Sequence, residues 1–70
     1  MTRSFDAAAL QRLMQERHVC AVQLARQTGI DAGTLRAFLA GRQENISTRN
    51  LLALAHFFEI SMRELVDILS

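Results

Sequence analysis

Apolar and polar positions alternate along this chain in a fixed local relation. Five times, an apolar residue is followed by one capping position, three variable residues and a leucine. The copies are Phe5-Asp6 to Leu10, Val19-Cys20 to Leu24, Ile30-Asp31 to Leu35, Ile46-Ser47 to Leu51 and Ile60-Ser61 to Leu65. In four of the five the capping position holds Asp or Ser. This is the spacing of a hydrophobic staple around an N-cap: the residue before the cap packs on the fourth helical residue, and the cap oxygen accepts a free backbone N–H. The pattern predicts five helix starts.

The first helix is expected over Ala7 to Arg17, where Leu10, Leu13 and Met14 form an inward i, i+3, i+4 stripe. The second runs Ala21 to Thr28, with Leu24, Ala25 and Thr28 inward; Cys20 is a poor cap. Gly29 can take the positive φ that ends a helix at low cost. The third runs Ala32 to Ala40, with Leu35, Phe38 and Leu39 inward, and Gly41 ends it. Arg42 to Ile46 is the only loop of any length. The fourth, Thr48 to Phe58, is apolar almost all round, which predicts a place in the middle of the core. The fifth runs Met62 to Leu69, and Ser61 with Glu64 reads as a full capping box. No strand is expected. Staple spacings of 14, 11, 16 and 14 residues are too irregular for a solenoid. The expected fold is a compact all-α globule, one domain over 1–70 with a short N-terminal extension at 1–5.

Composition narrows this further. Half of the 70 residues are hydrophobic and the formal net charge is +1, which argues against disorder. A chain of this size buries only about 60% of its unfolded surface, so its stability margin is thin. Cys20 is the single cysteine, which excludes an internal disulfide and fits a reducing cytoplasm. No apolar run nears the ~20 residues that cross a bilayer, and Met1 to Leu10 lacks the apolar core of a signal peptide. Charge is uneven. Residues 1–49 hold seven Arg against four acidic residues, a balance of +3, and residues 50–70 hold one Arg against three, a balance of −2. All eight basic residues are Arg. Arg forks onto phosphate and guanine as Lys does not, although genomic codon bias toward Arg accounts for the same count.

The second and third helices are short and joined by a glycine turn, so they cross steeply, as in a helix-turn-helix. Ala25 leaves room for the third helix to approach. The stretch Gln23-Leu24-Ala25-Arg26-Gln27-Thr28-Gly29, with Asn45-Ile46-Ser47, Leu51-Leu52-Ala53-Leu54-Ala55, Ile60-Ser61 and Glu64-Leu65, resembles the Cro/CI-type, phage-repressor-like helix-turn-helix family. The resemblance covers roughly residues 7 to 69. It implies a five-helix lambda-repressor-like domain whose third helix reads double-stranded DNA. It further implies a homodimer on a two-fold operator and a cytoplasmic, nucleoid-associated regulator of bacterial or phage origin.

In such proteins the N-terminal part of the recognition helix enters the major groove. Here those positions are Ala32, Gly33, Thr34, Arg36 and Ala37. Only Thr34 and Arg36 can hydrogen-bond to bases; alanine can touch a thymine methyl. Arg36 is the expected main base reader. Gly33 at the second helical position costs about 1 kcal/mol against Ala; close approach of backbone to DNA and simple drift both account for it. Asp31 is a good cap but carries negative charge toward phosphates. Gln23, Arg26, Arg42, Asn45, Thr48 and Arg49 are the candidate phosphate contacts, with Arg42 and Arg49 foremost. Cys20 and Ala21 stand where the family often has a polar phosphate contact.

Other residues carry less chemistry. His18, His56 and Cys20 have no zinc-ligand spacing. His18 with Cys20 has no third group to orient a nucleophile. His56 reads as a packed or edge histidine and His18 as a cation at a helix C-terminus. No enzyme activity, cofactor, metal or small-molecule ligand is expected; Cys20 as a redox switch stays open. On the fifth helix Leu65, Ile68 and Leu69 suffice for the core, which leaves Met62 and Val66 as an apolar strip. Met62, Val66 and Leu69 are the candidate dimer interface. Two readings therefore stand: a sequence-specific DNA-binding regulator, and a protein-interaction module on the same fold (an antirepressor, adaptor or antitoxin-type partner) with weak or no DNA binding.

Overall fold

The five helix starts fall where the staples put them. In the computed structural model, which describes residues 5–43 and 45–70, the helices are α1 (Ala7–Glu16), α2 (Ala21–Thr28), α3 (Ala32–Leu39), α4 (Thr48–Phe58) and α5 (Met62–Leu69). No strand occurs among the described residues. Four caps work as their chemistry requires. Side-chain oxygens of Asp6, Asp31, Ser47 and Ser61 accept the backbone N–H of Ala8, Thr34, Asn50 and Glu64, at 2.9 to 3.2 Å. Cys20 makes no such bond. Of the Ser61–Glu64 box, the structure shows the Ser61 half. The staple residues Phe5, Val19, Ile30, Ile46 and Ile60 all pack on the core.

The helix ends are less uniform. α2 ends at Gly29 (φ 79°), whose N–H donates to Ala25 O. α1, α3 and α4 each end in a paired-bond Schellman turn, through Val19 N to Met14 O, Arg42 N to Ala37 O and Ile60 N to Ala55 O. The left-handed residue in these turns is Gly41 in one case but His18 (φ 55°) and Glu59 (φ 57°) in the others. The first helix therefore stops at Glu16 and not Arg17, and the third at Leu39 and not Ala40. Val19 and Ile60 each close one helix and staple the next. Arg17, freed from α1, donates to Phe58 O at 3.4 Å and lies 6.0 Å from the Phe58 ring centroid, against the C-terminal carbonyls of α4.

Each helix packs on two others, and the packing closes a cycle in the order α1, α3, α2, α4, α5. The core inside holds Leu10, Leu13, Leu24, Leu35, Phe38, Leu54, Phe58, Leu65 and Leu69 among others, with no buried polar residue among those described. Asp6 N–H donates to Leu69 O at 2.7 Å, joining the start of α1 to the end of α5.

Two expectations about the core fail. α4 is not apolar all round in use. It buries Leu51, Leu54, Ala55 and Phe58 against a core shared with α2 and α5, its two packing neighbours, and turns Leu52 (58% exposed) and His56 outward. On α5, Leu69 is fully buried and therefore unavailable to a partner, whereas Ile68 is 38% exposed. A helix advances 100° per residue, so when Leu65 and Leu69 point inward, four apart, Ile68 is rotated to the rim. Met62 and Val66 lie half-buried at the core edge.

Candidate nucleic-acid interface

The position of α3 follows from three restraints. Leu35 and Phe38 anchor its inner face in the core. α2 and α1 pack against it from two sides. Its C-terminal end is tied by Gln11, whose Nε2 donates to Leu39 O at 3.0 Å, so a polar side chain of α1 caps the last turn of α3. At the other end Asp31 caps the first turn. The α2–α3 junction is fixed by Thr28. Its hydroxyl donates to Leu24 O at 2.7 Å and accepts from Ile30 N at 3.3 Å, which satisfies both groups beside Gly29.

This leaves Ala32, Gly33 and Arg36 exposed along one side of α3, with Thr34 and Ala37 half-buried. Arg36 is the one charged side chain on the helix. Thr34 Oγ1 lies 3.4 Å from Asp31 Oδ2 and donates to it, so its proton serves the cap. Gly33 has a structural reason that the sequence alone did not supply: a Cβ there would sit 3.0 Å from Asp31 Oδ2, crowding that cap.

All six candidate phosphate contacts are exposed: Gln23 and Arg26 on α2, Arg42 and Asn45 in the loop, Thr48 and Arg49 in the first turn of α4. The loop and the first turn of α4 share a small hollow with α3, although the two helices do not pack directly on each other. Gln43, Ile46 and Asn50 border a small hollow with Thr34, Leu35 and Phe38, and Gln43 Nε2 donates to Asn45 O at 3.1 Å, stiffening the loop. Beyond α3, Arg42 follows directly through the turn at Gly41. The structure thus gathers the start of α3 with the start of α4, and sets Arg26 on the outer side of α2.

A family model described as a Cro/C1-type HTH DNA-binding domain matches residues 9–69. The chain belongs to this family. The match spans α2 to α5 entirely and all but the first two residues of α1. Neither the curated proteins nor the solved structures gave a significant match. DNA binding is the general assignment for a Cro/C1-type domain, and α2 with α3 is its helix-turn-helix. No helix among the described residues is long and apolar enough to cross a membrane, and no three of their His, Cys, Asp and Glu side chains gather where they could hold a metal ion.

Two residues packed around α3 carry roles that only the fold reveals. The role of Gln11, a polar residue of α1, is revealed only by the packing of α1 on α3. Val22, on α2, is 64% exposed beside Ala32 and Arg36.

Proposed function

We propose that this Cro/C1-type domain is a sequence-specific transcriptional regulator of repressor type that binds a two-fold operator as a homodimer through α3. The observation that carries the reading is the restrained α3. Its outward side presents Arg36 as the base-reading cation, with Ala32, Gly33, Thr34 and Ala37 close to the groove floor. Arg42 and Arg49 grip phosphates on one side, helped by Asn45 and Thr48; Gln23 and Arg26 do so on the other. The homodimer forms through the rim of α5, where Ile68 joins Met62 and Val66 in place of the buried Leu69.

The deciding experiment selects bound sequences from a random duplex pool and measures oligomeric state alongside. Arg36→Ala should relax preference at one base pair per half-site, at a cost of about 1–3 kcal/mol. Arg42→Ala and Arg49→Ala should weaken binding to every sequence alike, and each should flatten the log–log salt slope by about one. Unchanged duplex binding in all three variants refutes the assignment. The bareness of α3 favours a second reading: with the Thr34 proton engaged, Arg36 is the only free hydrogen-bond donor side chain on its exposed face. A protein-interaction module on this fold would bind a protein partner tightly and show no duplex affinity.

A further inference from the structure

The most exposed large apolar side chain among the described residues is not at the α5 rim but on α2. Val22 is 64% exposed, against 58% for Leu52 and 38% for Ile68. It lines a shallow depression with Ala21, Ala32 and Arg36, so the start of α2 and the start of α3 share one surface. Three of the four residues that line it, Ala21, Val22 and Ala32, are apolar, and Arg36 is the fourth. A valine so exposed gains nothing in folding, and Cys20 beside it makes no cap bond. The first two residues of α2, Ala21 and Val22, carry no polar side chain, and the candidate phosphate contacts on this helix begin at Gln23.

We propose that Val22 belongs to the base-reading surface, and that the depression seats a thymine 5-methyl group beside the guanine read by Arg36. This rests on the DNA-binding reading above. In the major groove, thymine offers a methyl group and guanine offers O6 and N7 as acceptors. An apolar surface of Ala21, Val22 and Ala32 beside Arg36 suits those two features on neighbouring base pairs. Val22 thus supplies through contact the discrimination that α3 lacks in hydrogen-bonding side chains. The preferred half-site contains a thymine next to the guanine on which Arg36 acts.

The test uses the duplex obtained by selection from the random pool. Each thymine in turn is replaced by uracil, which lacks only the methyl group. One or two thymines per half-site should be sensitive, each losing about fourfold in affinity, as burial of one methyl group implies. In Val22→Ala the same replacements should change affinity less than about twofold, by loss of that same burial. Val22→Thr keeps the shape but replaces one methyl with a hydroxyl, and should give an intermediate response. Thermal unfolding of both variants should match the parent, since the side chain is exposed.

A selected duplex that tolerates uracil at every thymine overturns the methyl-reading proposal while leaving DNA binding intact. Sensitivity that persists undiminished in Val22→Ala overturns the role of Val22. A folded protein that binds no duplex at low salt overturns the DNA-binding reading itself and leaves the Val22 surface to a protein partner.

Discussion

Asp31 has two jobs that pull against each other, and substitutions separate them. Its carboxylate accepts from Thr34 N at 2.9 Å and from Thr34 Oγ1 at 3.4 Å, capping α3. It is also an exposed anion at the end of the helix offered to DNA. Asp31→Ala removes the cap and should cost about 1 kcal/mol, within a range of roughly 0.5–2. For a domain of this size, whose whole stability is on the order of 4–10 kcal/mol, that is a measurable share. Asp31→Asn keeps an acceptor of equal capping quality and loses only the charge interaction with the helix dipole, about 0.3–1 kcal/mol. Duplex binding should move the other way. A carboxylate roughly 8 Å from a phosphate repels it by about 0.5 kcal/mol in a water-like dielectric, so the Asn variant should bind about two- to threefold tighter per protomer. The gain should shrink as salt rises, because screening removes the repulsion first. Thermal unfolding and duplex titration at two ionic strengths read both effects. The reasoning fails if Asp31→Asn binds DNA more weakly than the parent, or if its gain is the same at high salt.

Glu59 adopts left-handed backbone, φ 57°, with no glycine to relieve it. Such a conformation costs a side-chain-bearing residue about 1–2 kcal/mol, whereas glycine adds about 0.4–1 kcal/mol of unfolded-state freedom. Glu59→Gly should therefore stabilise by about 0.5–1 kcal/mol, visible as a higher Tm; a lower Tm contradicts this account of the α4 end. Leu24 is fully buried on α2, so Leu24→Ala should cost about 2–5 kcal/mol and leave the domain largely unfolded at 37 °C by circular dichroism. A Tm lowered by only a few degrees would show that the core is not built around it.

Where the helices begin was written locally and could be read locally. A cap oxygen and a staple pair act within six residues, so Asp31 with Ile30 and Leu35 specify the start of α3 whatever surrounds them. Two of the helix ends were equally plain, because Gly29 and Gly41 announce a positive φ. His18 and Glu59 gave no such signal: the left-handed turn there is imposed by Val19 and Ile60, which must reach back to the core. An apolar residue five places after a buried one near the helix end, Val19 after Met14 and Ile60 after Ala55, is the trace that marks them. Faces were harder than ends. In a run such as Leu51-Leu52-Ala53-Leu54-Ala55, periodicity alone does not say which leucine is left outside; the packing of α4 on α2 and α5 decides it. Ile68 and Leu69 are a second case. On the candidate interface, Arg36 followed from the family resemblance, as the one charged residue of the third helix. Val22 and Gln11 did not, since their neighbours Ala32 and Leu39 lie on another helix and only the tertiary fold joins them.

The bond from Asp6 N–H to Leu69 O brings the start of α1 and the end of α5 to one point. The domain can therefore be treated as a closed loop whose opening is a matter of where the chain happens to be cut. A short peptide joining the ends, with a new break elsewhere on the surface, should preserve the cycle of helices. By the same geometry, a sensor or reporter module attached at either end departs from the same place. The whole unit could then be spliced into an exposed turn of another protein without stretching either connection.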